Sequence, residues 1–392
     1  MTTARRDFPQ LDAMRAAASI AVVVTHVGFW SGFYTSGFLG VLVQRLEAGV
    51  AVFFVLSGFL LCRPYLVAAH DRAPHDPARV YFQKRFFRIV PVYVVTVVAA
   101  MTLLAENRSM GVLRWVQNLL MVDLYRETQL PQGLTQMWSL TIEVAFYLIL
   151  PLLGAVLVKV VCRDRWRPVR LLVFVAGLIV LSVAWVAATH VMDASWAPWA
   201  AKWLPSYLSW FALGIGLAVL TVDSGAPGRL TSWLSTLGQD RVACWTSAAA
   251  ILVFVSTPLG GSPLLIAPTP SQAIMRHVCY AAIALLLIAP CVLGTDDSPV
   301  ARAMSLPAVR HLGHISYALF CCHVIVLAIA VPRLGFTVFD SNPVVLFVVI
   351  MGISLAVSEL LYRFVEVPGM ALRPRLQPTP AATAPSEAAA QS

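Results

Sequence analysis

Charge is what this chain lacks most. Of 392 residues only 12% are Asp, Glu, Lys or Arg, against 59% apolar ones. A soluble domain carries about 25% charged and about 45–50% apolar residues. The shortfall excludes a soluble enzyme, a disordered chain and a nucleic-acid-binding domain, even though the formal net charge is +9. Cysteine is scarce too. The seven cysteines, at positions 62, 162, 244, 279, 291, 321 and 322, are odd in number and show no CxxC-like spacing. Neither a disulfide framework nor a metal site is expected from them. They read as small residues inside apolar runs. There is no internal repeat and no sign of a second soluble domain.

What the chain does have is hydrophobic length, with a mean hydropathy of +0.78. A membrane-spanning helix takes roughly 17–25 mainly apolar residues. Ten stretches qualify, at 12–30, 49–69, 89–105, 138–158, 169–190, 204–222, 242–257, 274–294, 312–332 and 343–366, of which the third and seventh are short. The expected fold is therefore an all-α polytopic membrane protein with about ten transmembrane helices. Residues 1–376 read as one integral-membrane domain. Residues 377–392, rich in Ala, Pro, Ser and Thr, read as a disordered tail. The run Ala16–Val27 behind Arg5 and Arg6 could pass for a signal peptide. No clear small-x-small cleavage site follows, so a retained span is expected.

Loop charge gives the orientation. With the N-terminus in the cytoplasm, 21 of the 28 Lys and Arg residues fall on or beside inside segments. That bias predicts both termini cytoplasmic and a multi-pass protein of the plasma (inner) membrane.

Ionisable groups inside hydrocarbon are costly, so each is a functional candidate. The spans hold Arg15, His26, Arg63, Glu143, His323, Glu359, Arg363 and Glu366. Arg15 and His26 are eleven residues apart, about three helical turns and roughly 16 Å, so they share a face. Glu143 enters from the outer side and is expected at the depth of His26, where a carboxylate would orient the imidazole. Arg85 and Arg88, three apart at the start of a helix, face one side. Besides anchoring the loop, two guanidiniums there suit a phosphorylated ligand.

These residues lie in ordered motifs that resemble the acyltransferase 3 family, mainly bacterial integral-membrane O-acyltransferases. LDAMRAAASIAVVVTH at 11–26 resembles the family opening with its Arg-x10-His pair. FFVLSGFLL at 53–61, KRFFRIVP at 84–91 and WSLTIEVAFYLILP at 138–151 follow in family order. LGHISYALFCCHVIVL at 312–327 and FVEVP at 364–368 complete the set. Phe320-Cys321-Cys322 departs from the Tyr-Leu-Trp-like run usual before the histidine. The long C-terminal soluble domain of some members is not seen, so a stand-alone membrane module is expected.

The resemblance implies transfer of an acyl group, acetyl or another short acyl, from acyl-CoA to a hydroxyl of a sugar, cell-envelope glycan, glycolipid or macrolide-like metabolite. Acyl-CoA is then a donor substrate, and no bound cofactor is implied. Residue by residue, it marks His26, Glu143 and Arg15 as catalytic. It marks Arg85, Arg88 and Arg63 as acyl-CoA-binding, and Ser57, Trp138, Tyr317, His323 and Glu366 as supporting. The chemistry agrees, because an imidazole titrating near neutrality suits deprotonation of an attacking alcohol. A covalent acyl-enzyme on Ser57 or His26 is the second mechanism. The competing class is a proton-coupled secondary transporter built on the same His, Glu and Arg groups.

Overall fold

The computed structural model describes residues 7–126, 129–163, 165–192, 197–222, 229–262, 266–295 and 297–373; the expected tail at 377–392 lies outside them. Among the described residues there are helices and no strands. Ten helices form the bundle: α1 Gln10–Trp30, α2 Gly49–Asp71, α3 Ala78–Leu103, α4 Met137–Ala155, α5 Pro168–Val191, α6 Leu204–Val222, α7 Arg241–Val255, α8 Pro270–Val292, α9 Pro307–Arg333 and α10 Pro343–Leu361. Among the described residues, nine segments are long and apolar enough to cross a membrane; α7, with 15 residues, is the shorter apolar helix. The chain is an all-α polytopic membrane protein.

The helix starts are written locally. Pro opens α5, α8, α9 and α10, at the position where its missing N–H costs nothing. Thr269 and Gln272 form a reciprocal capping box at α8, and the Asn342 side chain accepts from Val344 N and Val345 N at α10. Two helices differ from the hydropathy reading. α3 starts at Ala78, because the basic residues that end an apolar window continue the same helix. α7 is about 22 Å long, less than the roughly 30 Å of a hydrocarbon core. Its far end is closed by a polar device. The fully buried Arg45 donates to Val255 O at 3.2 Å, Gly260 O at 3.0 Å and Gly261 O at 2.7 Å.

Contacts between helix ends define two faces. At the terminal end, Arg310 on α9 bonds Asp12 on α1 at 3.2 Å, and Arg241 on α7 bonds Gln10 at 2.8 Å. At the far end, Phe339 N donates to Trp30 O at 2.7 Å. Small residues let the central helices touch. A Cβ on Gly58 of α2 would lie 2.1 Å from Phe211 O of α6, and one on Gly214 would lie 2.1 Å from Val55 O. A Cβ on Gly313 of α9 would lie 2.2 Å from Asp12 O of α1. Because α1 and α9 run in parallel from that contact, positions 26 and 323 arrive together.

Candidate active site

At the terminal side of the bundle, a cavity of about 110 Å³ is lined by Arg15, Ser57, Arg85, Arg88, Glu143, Tyr147 and Tyr317, with Phe53, Phe54 and Phe320 among its apolar walls. Each polar group is held. Asp12, one turn before Arg15, accepts from its Nη1 at 3.0 Å while its other oxygen takes Arg310. Arg85 lies over the Tyr147 ring, 5.9 Å from its centroid. Tyr317 Oη donates to Ile89 O at 2.8 Å, tying α9 to α3. The Glu143 carboxylate accepts from Ser57 Oγ and, at 2.5 Å, from Tyr147 Oη. Arg85 and Arg15 act on it through space. The cavity thus holds three guanidiniums, one carboxylate and two hydroxyls bonded to that carboxylate. Three fixed cations in one small space fit polyanionic phosphate groups.

Glu143 does not sit beside His26, as helix counting alone suggests. The segment before α4 folds inward, so α4 starts deep. Asn107 Nδ2 donates to Ala100 O and Gln132 O, each at 2.9 Å. Gln136 Nε2 donates to Cys321 O at 3.0 Å. Gln136 is therefore already level with the residues next to His323. Glu143, seven residues further along, lies about 10 Å nearer the terminal end, among the arginines.

The partner of His26 is a second imidazole. His323 Nε2 lies 3.2 Å from His26 Nδ1, and the rings meet edge to face with centroids 5.0 Å apart. Donor accounting gives the tautomers. His323 Nδ1 is 3.0 Å from Leu319 O, a pure acceptor, so it carries the proton and Nε2 is left as acceptor. His26 Nδ1 is 2.9 Å from Val22 O and faces His323 Nε2, so it is protonated as well. His26 Nε2 is then the unprotonated, basic nitrogen. His323 is fully buried and His26 half-buried. Phe320 bridges the two parts of the site: it lines the cavity, and its ring centroid is 6.1 Å from that of His323.

The remaining motif residues disperse. Arg63 lies over the Phe8 ring at 5.2 Å and is not among the groups lining the arginine cavity. Trp138 faces a different cavity, its ring tilted against that of Tyr207 with centroids 5.3 Å apart. Glu366 is fully buried in the π-helical turn Tyr362–Glu366, with Arg88 Nη2 at 3.9 Å. Sequence reasoning passed over Asp12, Tyr147 and Phe320. The first two were legible as helix neighbours of Arg15 and Glu143, three and four residues away. Phe320 was visible only as part of the departure from the family run before the histidine.

A helical bundle with an arginine-lined cavity one aromatic ring from the His26–His323 pair defines a polytopic membrane protein with an internal polar site. The chain belongs to the acyltransferase 3 family: residues 8–363 match the family's domain, described as an acyltransferase domain. It is 26% identical over 382 residues to the peptidoglycan O-acetyltransferase OatA of Listeria monocytogenes, covering 93% of this chain and 56% of that protein. It is 30% identical over 280 residues to the acyltransferase MdmB of Streptomyces mycarofaciens, covering 62% of this chain and 69% of that one. It is 23% identical over 377 residues to the O-acetyltransferase OatA of Staphylococcus aureus, covering 93% and 57%. The chain thus spans little more than half the length of the two OatA proteins. No solved structure matches it.

Proposed function

We propose that the chain is a membrane O-acyltransferase that moves an acyl group from acyl-CoA to a hydroxyl of a sugar, glycan or secondary metabolite. The observation that carries this reading is the arrangement in one family member of three arginines in a cavity that ends, across Phe320, at the His26–His323 pair. In this reading the terminal end faces the cytoplasm of a plasma-membrane protein, which the excess of Lys and Arg on that side supports. Arg15, Arg85 and Arg88 grip the coenzyme phosphates, and the thioester arm extends past Phe53 and Phe320. The acceptor hydroxyl gives its proton to His26 Nε2 as its oxygen attacks the thioester carbon. The C–S bond breaks, the ester C–O bond forms, and the proton passes to the leaving thiolate. His323 keeps the His26 proton on Nδ1 and shares the imidazolium charge.

One observation favours a second mechanism for the same reaction. Ser57 Oγ donates to Glu143 inside the arginine cavity, which is the pairing of a nucleophile with a base. In that route Ser57 takes the acyl group first, and Glu143 takes the serine proton and returns it to the thiolate; the acceptor oxygen then attacks the serine ester, the bond from Ser57 Oγ to the acyl carbon breaks, and Glu143 passes the acceptor's proton back to Ser57 Oγ. Family membership favours acyl transfer over a proton-coupled transporter on the same residues. The test is detergent-purified protein with acetyl-CoA, a thiol reagent and a panel of sugars and macrolides. Acceptor-dependent thiol release is expected, and its absence across broad donor and acceptor panels contradicts the reading.

A further inference from the structure

A second cavity, of about 360 Å³, lies toward the far end and takes no part in the donor site. It is lined by four aromatic rings, Trp138, Tyr207, Trp210 and Tyr280, and by the charged groups Glu47, Arg276 and Lys202. Phe54 stands between the two cavities. It lines the first, and its ring lies 5.8 Å from both Tyr207 and Trp210 of the second. The aromatic wall is rigid. Trp210 stacks on His277 at 5.0 Å and donates from Nε1 to His277 O at 3.2 Å, while His277 Nε2 meets Ser209 Oγ at 2.7 Å.

Two charged residues of this cavity stand out. Glu47 is positioned by Tyr280, whose hydroxyl donates to Oε1 at 2.8 Å. Arg276 sits in α8, a spanning helix, half-buried and facing the cavity, with no hydrogen-bond or ion-pair partner among the described residues. A guanidinium at membrane depth is costly and is normally matched by an acid, a carbonyl or a ligand. Its planar fork fits a carboxylate or a phosphate. Aromatic faces beside polar groups suit a ring with an apolar face and a hydroxylated rim. The edge of the cavity that carries Glu47 also adjoins α1. A Cβ on Gly49 would lie 2.7 Å from Ala18 O, and Tyr34, within electrostatic reach of Glu47, donates to Thr25 O beside His26.

We infer that this second cavity is the acceptor site and that it takes a hydroxyl-bearing ring compound carrying a carboxylate or phosphate, with Arg276 selecting the anion. The inference rests on the acyl-transfer reading for the word acceptor, but the binding claim stands apart from it. Glu47 accepts hydrogen bonds from ring hydroxyls, Arg276 and Lys202 face the anion, and the aromatic wall covers the apolar face.

The experiment is calorimetric titration of the full chain in detergent with glucose, glucuronate and glucose 6-phosphate at matched ionic strength. At least one anionic sugar should bind roughly ten-fold or more tightly than glucose, and the stronger of the two names the anion. Arg276→Ala should abolish the preference, Arg276→Lys should keep part of it, and both should bind acetyl-CoA as wild type does. Equal binding of glucose and the anionic sugars, binding of none of the three, or a preference that survives Arg276→Ala overturns the inference. If both variants fail to fold, the wild-type comparison of the three sugars decides alone. Anion preference without any acceptor-dependent thiol release would leave the binding site standing and overturn the acyl-transfer reading instead.

Discussion

His323 Nε2 lies 3.2 Å from His26 Nδ1, and this contact leaves His26 Nε2 as the free base. The pair resembles the orienting half of a catalytic triad with an imidazole in place of the carboxylate. His323→Ala should therefore lower turnover by about 10- to 1000-fold while leaving the acyl-CoA Michaelis constant near its wild-type value. His323→Gln, which retains a hydrogen-bond acceptor, should recover part of the loss. Steady-state kinetics at saturating acyl-CoA check this. Equal loss in both variants would reduce His323 to a packing residue.

Arg85 and Arg88 line the cavity, whose walls do not include the imidazoles, so they should act on donor binding. A charge-assisted guanidinium–phosphate contact is worth about 1.5–3 kcal/mol. Arg85→Ala or Arg88→Ala should raise the apparent Michaelis constant for acyl-CoA by roughly ten- to a hundred-fold with little change in turnover. Arg→Lys should restore only part of the affinity, because the fork is lost. Protease accessibility controls for topology, since the same charges anchor the loop. Unchanged constants in both variants would make this element an anchor alone.

The Ser57–Glu143 hydrogen bond separates direct transfer from an acyl-enzyme. Direct attack predicts that Ser57→Ala keeps most of its turnover and that no label stays on the protein after incubation with radiolabelled acetyl-CoA. A serine-linked label, lost together with activity in Ser57→Ala, would transfer the chemistry to Ser57.

Helix contact at Gly58 carries a stability prediction. A methyl there meets Phe211 O at 2.1 Å, and α2 and α6 must separate to admit it. Gly58→Ala should destabilise the fold by about 1–3 kcal/mol, as overpacking does. Thermal unfolding in detergent reads this, and an unchanged midpoint would mean that the two helices are not held at that distance.

The helices and the six motifs were legible because hydropathy and ordered residue types are local properties, although among the described residues nine of the ten expected spans are long enough to cross and α7 is shorter. The depth of Glu143 was not. It depends on Asn107 and Gln136 folding the preceding segment into the bundle, so that α4 begins well below the surface. Helix counting from a membrane edge assumes that the helix starts there. The partnership of His26 with His323 was hidden for a similar reason, since it follows from parallel packing of α1 and α9 at Gly313. Arg276 counted as an outer-loop cation in the charge tally. Its cavity is assembled from segments distant in sequence, which no single window can reveal.

The central claim is that His26 is the base for acyl transfer. The direct measurement is acceptor-dependent thiol release from acetyl-CoA by His26→Ala, alongside calorimetric binding of acetyl-CoA to the same preparation. The account predicts a loss of about 100- to 10,000-fold in turnover with donor binding preserved. Near-wild-type thiol release from a variant that lacks the imidazole would contradict it.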